Sequence, residues 1–292
     1  AASVRLLYRH RRVYAVGHGC APEWGEEAAR RVSEVRTATL PTYDVKPIEA
    51  AAFDGIDLSM RALARPDGPE TALLCRRLAE AYGTWIDREE ARIGGEVPDA
   101  LQDAAGGHIE ACRECLRRIE DGIDLLDDDP RARRAFALMN RAMLMQQVHY
   151  AVSSDATRSW VSERRQLRLE RAFRAPDYDD PETWGIAGAD RLGRWRPFQL
   201  AFVLMNLRSI VDPTHREREV VDLIWFPTGG GKTEAYLGLT AFTILHRRLL
   251  RPGNAGTTVL MRYTLRLLTA QQYQRAASLI CSLEILRREA GG

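Results

Sequence analysis

The stretch Phe226-Pro227-Thr228-Gly229-Gly230-Gly231-Lys232-Thr233 holds the residues best suited to chemistry. Three successive glycines let main-chain N–H groups turn inward with no side chain in the way of an anion. Lys232 supplies a compact ammonium for the β- and γ-phosphates of a nucleotide, and the Thr233 hydroxyl is placed to hold Mg²⁺. Of the 42 basic residues, only Lys46 and Lys232 are lysine. A lysine here, in a chain that otherwise uses arginine, points to a loop too tight for a planar guanidinium. The strict pattern wants glycine where Phe226 stands, so the match is not literal. A glycine-rich turn before an ordinary helix is the plainer alternative; agreement of the flanking elements favours the anion site.

Those elements are legible. Val220-Val221-Asp222-Leu223-Ile224-Trp225 is a short β-type run, and Glu234 to Phe242 has the apolar spacing of a helix, whose N-terminal dipole favours the same anion. A second β-type run, Thr257 to Met261, and a long helix opening near Arg262 follow a turn at Pro252–Gly256. Strand, helix, strand and helix at these lengths predict parallel strands joined by right-handed crossovers. Upstream, residues 1–58 read as a small α/β segment, with strands at Arg12–Gly17 and Val35–Leu40 and a short helix at Glu26–Arg31. Residues 59–175 read as a helical domain: Glu70–Ile93, then Asp99–Leu126 with a kink at Gly106-Gly107, then Arg131–Val152 after the stop at Pro130. Residues 176–190 read as a linker and 191–292 as the nucleotide-binding region. The expected fold class is therefore α/β.

Composition narrows the class. Apolar (45%) and charged (28%) content suit a water-soluble globular chain, and no apolar run approaches the roughly 20 residues needed to cross a bilayer. Five cysteines and no apolar leader predict a reducing, cytoplasmic setting and no membrane partner. Net charge is +2, but residues 191–292 hold 15 basic against 7 acidic residues, while 1–190 hold 27 against 33. The phosphate-loop half is the basic half, which is compatible with a polyanion partner.

Taken in order, Arg196-Pro197-Phe198-Gln199, then Phe226 to Thr233, then Arg262-Tyr263-Thr264-Leu265 to Gln271 resemble the glutamine motif, motif I and motif Ia of superfamily 2 helicases, over about residues 194–292. The wording Phe-Pro-Thr-Gly-Gly-Gly-Lys-Thr-Glu-Ala-Tyr, with Gly17-His18-Gly19-Cys20 near the start, is most similar to the large helicase component of bacterial DISARM anti-phage defence systems. The resemblance implies the first part of a RecA-like ATP-binding motor domain, with ATP and Mg²⁺ as cofactors. It implies that Gln199 reads the adenine edge, to which an amide can donate and accept at once. It puts Phe198, Thr228, Gly229, Gly230, Gly231, Lys232, Thr233 and Glu234 at the nucleotide, with Lys232 and Thr233 in the catalytic role. Arg262, Thr264 and Gln271 become contacts to a nucleic-acid backbone, DNA more than RNA, of the kind that positions a strand without reading it. A partner subunit of a defence complex is implied as well. No motif II follows Arg262 and no second motor domain is present, so the chain is expected to be the N-terminal part of a longer ATP-dependent helicase or translocase and to hydrolyse ATP poorly alone. A nucleotide-gated switch or scaffold, or a helical interaction module on a degenerate nucleotide fold, stay open beside that reading.

Weaker patterns have bland readings. His108, Cys112 and Cys115 could share a helix face as metal ligands, with Cys75 or His18 and Cys20 to complete a set; without a second close ligand pair, thiols in the core are the simpler expectation. Arg164, Arg165, Arg168, Arg171 and Arg174 could track phosphates or form a solvated helix face.

Overall fold

The computed structural model describes residues 2–290 apart from 26, 29–30, 39–52, 54, 66–69, 154–158, 164–165, 171–175, 186–187, 227–229, 255 and 264–265. The chain divides into two compact units, residues 1–49 with 85–112, and residues 50–84 with 113–292.

In the first unit, helix α1 (Ala2–Leu7) buries Leu6 with Leu101 and Ala105, backed by Ile93, Val97 and Ala104. Strands β1 (Ala21–Trp24) and β4 (Val35–Ala38) pair antiparallel, as do the two-residue strands β2 (Glu27–Ala28) and β3 (Arg31–Val32). The helix expected at Glu26–Arg31 is therefore replaced, at its described positions, by strand pairing. Arg12–Gly17 belongs to no strand ladder either.

The second unit is built on helices. It holds α2 (Met60–Leu63), the first part of α3 (Glu70–Ala91), the second part of α5 (Asp99–Asp128) and α6 (Pro130–Ser153); the one-turn α4 (Ile93–Glu96) and the rest of α3 and α5 belong to the first unit. α5 is continuous through Gly106-Gly107. α6 starts where Asp129 accepts from the Arg131 and Ala132 amides (2.8 and 3.3 Å), with Pro130 as its first residue, two features that suit a helix N-terminus. Between α6 and α7 (Pro197–Val211) lies a hairpin, β5 (Trp160–Glu163) against β6 (Gln166–Leu169), where Arg168 stands on a strand, not on a helix face. α8 (Lys232–Leu250) and α9 (Arg266–Glu289) complete the set.

α6 is the axis of this unit. It packs on α2, α8 and α9, and α7 packs on α8. Phe136, Met139, Met143, Leu200, Leu204, Leu237 and Phe242 fill the shared core. The helices expected as an accessory module and those expected as a motor segment thus share one interior. Two glycines set the closest approaches. A Cβ on Gly238 would lie 2.8 Å from the Trp195 ring, and one on Gly122 would lie 2.0 Å from the carbonyl oxygen of Leu204 in α7. Trp195 is held by its indole N–H, which donates to the buried Asn140 side chain (2.7 Å).

The expected parallel strand pair is not formed among the described residues, where every named pairing is antiparallel. Residues 220–226 are extended in character without a ladder. Val221, Leu223 and Trp225 are 93%, 86% and 74% exposed, while Asp222, Ile224 and Phe226 are half-buried. That alternation is a strand's, with period two. Local propensity fixes this pleat; the hydrogen bonds that make a sheet must come from neighbouring strands, and Thr257–Met261 is likewise outside any ladder.

Candidate nucleotide site

The site begins at a backbone conformation. Gly231 caps α8 with φ +85°, a left-handed value that side chains rarely adopt. A Cβ there would also meet the Gln199 amide nitrogen at 2.6 Å, so conformation and space both require glycine. Gly230 before it is buried. Lys232 and Thr233 occupy the first turn of a 19-residue helix, whose leading N–H groups have no partners within the helix ladder. The Lys232 ammonium donates to the Phe226 carbonyl. Thr228 and Gly229 lie outside the described residues.

The candidate glutamine motif and the candidate loop meet. Arg196 precedes α7, and its guanidinium donates to the Gly230 carbonyl (2.9 Å). Gln199, 3% exposed, accepts from the Arg196 amide (2.8 Å) and donates to the Gly231 carbonyl (2.7 Å). Expected to face a base, this amide is spent on main chain at both ends and ties the start of α7 to the start of α8. Phe198 stacks on Phe226 with ring centres 4.3 Å apart and planes 8° from parallel. The residue that departs from the strict pattern therefore has an aromatic partner in the motif upstream, a contact worth about 0.5–1.5 kcal/mol.

Glu234 pairs with Arg275 of α9 and lies beside Gln147 of α6. Burial pushes its carboxyl above the usual range, and Arg275 only partly opposes the shift. A carboxyl raised in the folded state binds its proton more tightly there than in the unfolded chain. Its contribution is therefore fully present below the ordinary glutamate pKa and is lost as pH rises through the folded value. We expect the unfolding temperature of Glu234→Gln to gain on that of the unmodified chain as pH is raised from 4.5 to 8, as read by thermal melts in matched buffers; a difference independent of pH would contradict this account.

Of the expected strand contacts, Arg262 and Gln271 are exposed, and Thr264 lies outside the described residues. Arg262 borders a cleft of about 470 Å³ between α8 and residues 259–263, which Tyr236, Thr240 and Tyr263 also line. The sulfur-bearing candidates do not converge: among the described residues, no three His, Cys, Asp or Glu side chains are grouped as metal ligands. His108 hydrogen-bonds Ser3, and burial pushes the Cys75 thiol up to about 12.

Sequence reasoning missed an ionic cluster beside the loop. Arg118 of α5, 7% exposed, grips Asp222 with both terminal nitrogens (2.7 Å each), and its Nε lies 2.8 Å from Glu217. Arg117 also reaches Glu217, and Arg216 lies 3.5 Å from it. Asp121 receives Arg208 (3.1 Å) and faces His215 (3.4 Å). The paired residues are about 100 positions apart, and no local pattern distinguishes Arg118 from the other arginines.

No protein-family model matches the chain. Over 301 aligned residues, 97% of this chain, it is 34% identical to the DISARM protein DrmA of Bacillus paralicheniformis. The chain spans about a quarter (24%) of that relative's length. Over nearly all of its own length it is thus similar to a DISARM component, the resemblance its motifs announce. No helix among the described residues is long and apolar enough to cross a membrane.

Proposed function

We propose that this chain binds ATP with Mg²⁺ and forms the N-terminal portion of an ATP-driven nucleic-acid motor of a DISARM anti-phage defence system. The likeness to DrmA supports the defence role. The junction at Gly231 carries the nucleotide reading: a left-handed glycine at the head of α8, with Lys232 and Thr233 in the first turn. That donor set fits a triphosphate tail. The N-terminal N–H groups and dipole of α8 would favour the anion, Lys232 would neutralise the β- and γ-phosphates, and the Thr233 hydroxyl would be a ligand for Mg²⁺. Bound Mg²⁺ would offset phosphate charge. Phe198 and Gln199 adjoin the same turn; to meet the base, the Gln199 amide would have to exchange its bond to the Gly231 carbonyl for one to adenine. Arg262, Thr264 and Gln271 would contact the strand through its phosphates, making affinity fall as salt rises.

A nucleotide-gated scaffold is the second reading, and the Gln199 amide engaged with the Gly231 main chain favours it, because nucleotide would then act on how α7 meets α8. Titrating the chain with a fluorescent ATP analogue, with and without single-stranded DNA, tests both. Saturable, Mg²⁺-dependent binding strengthened by DNA fits the motor; binding indifferent to DNA fits the scaffold; no binding removes both.

A further inference from the structure

The run that leads into the glycine loop joins no sheet among the described residues, yet it is fastened at two points. At its far end Phe226 stacks on Phe198 and its carbonyl takes the Lys232 ammonium. At its near end Asp222 is gripped by Arg118. Between them Leu223 and Trp225 face solvent. Three residues separate the two anchors, so their spacing is limited to roughly 14 Å by the reach of about 3.5 Å per residue. Asp222 is thus tethered within one short span of Phe226, the acceptor of the Lys232 ammonium, and a shift at one anchor is passed to the other once the span is taken up.

The chemistry of the near anchor indicates its purpose. Taking a guanidinium and two carboxylates out of water is costly, and apolar residues of similar volume commonly give equal or greater stability. What a forked, bidentate pair adds is direction: it fixes Asp222 along one line and at one distance. Glu217 and Arg117 extend the cluster, and Asp121, which meets Arg208 and His215, lies about one helical turn further along α5. The whole 208–222 segment is thereby registered against α5.

We propose that Arg118 is a positioning residue for the nucleotide site: through Asp222 it sets the run that presents the loop, so that the grip on a triphosphate and the placement of α5 are coupled. This rests on the nucleotide reading above. Coupling of this kind is reciprocal, so a bound nucleotide must tighten α5 as much as Arg118 tightens the nucleotide.

The test uses the intact chain with Mg²⁺ and a non-hydrolysable ATP analogue. Binding is measured for the unmodified protein, Arg118→Lys, Asp222→Asn and, as an exposed-pair control, Arg287→Lys, with circular dichroism to verify folding. Amide hydrogen exchange of residues 113–121 is followed with and without analogue. The expected result is slower exchange at 113–121 on binding, about tenfold weaker affinity in folded Arg118→Lys and Asp222→Asn with that slowing lost, and no change in Arg287→Lys. Should both variants unfold, the exchange measurement on the unmodified chain still decides. Unchanged exchange at 113–121, or folded variants that bind like the unmodified chain, overturns the coupling alone; failure of the unmodified chain to bind overturns the nucleotide reading and this inference together.

Discussion

Lys232→Ala is expected to weaken binding of an ATP analogue at least about 100-fold while the chain stays folded. Hydrogen bonds from a charged donor contribute about 1.5–3 kcal/mol each, and an ammonium set against two phosphates makes at least two, which is more than the roughly 2.7 kcal/mol that 100-fold requires. The fold should tolerate the change. Lys232 opens a surface-facing first turn, its side chain is half-buried, and alanine is the better helix former. Lys232→Arg should fail to restore binding. Its wider head must fit where the ammonium now reaches the Phe226 carbonyl, and a fork is not a point charge. Equilibrium titration beside a thermal melt gives the answer. Affinity within threefold of the unmodified chain, in either variant, would mean that the lysine is not at the phosphates.

The second large effect lies far from chemistry. Gly122→Ala places a methyl carbon 2.0 Å from the Leu204 carbonyl oxygen and 2.8 Å from its carbonyl carbon. Both are main-chain atoms of α7, so no rotamer change relieves the clash and the two helices must separate. Overpacking of this sort costs about 3 kcal/mol, at the upper end of the usual range because the obstacle is backbone. The same substitution elsewhere in α5 provides its own control. A Cβ added to Gly107 would meet nothing within 4 Å, so Gly107→Ala should stabilise by about 0.5–1 kcal/mol through helix propensity alone. Urea unfolding midpoints of the two variants should move in opposite directions. Movement in the same direction would show that α5 and α7 do not approach as closely as the Gly122–Leu204 contact requires.

How much of this could be read in advance depended on the range of the forces involved. The start of α6 was plain because Asp129 and Pro130 act on residues within one turn. α8 was plain because the apolar spacing of the helix and the glycine its head requires fall at the same place. α5 continues through Gly106-Gly107: two glycines lower helix propensity, but they do not break a 30-residue helix. The arginine-rich stretch 164–174 drew attention to its charges, when the alternation in Gln166-Leu167-Arg168-Leu169 carried the strand signal. At the site, the need for glycine at position 231 was legible. The Phe198–Phe226 stack, the orientation of the Gln199 amide and the Arg118 grip were not, because each arises only when α7 or α5 is brought against the loop.

The row of Val221, Leu223 and Trp225 has a practical corollary. An apolar strip held in water is adhesive toward any similar strip it meets. Crowding molecules together is therefore expected to drive self-association along this strip, read as light scattering that rises with concentration well below the melt.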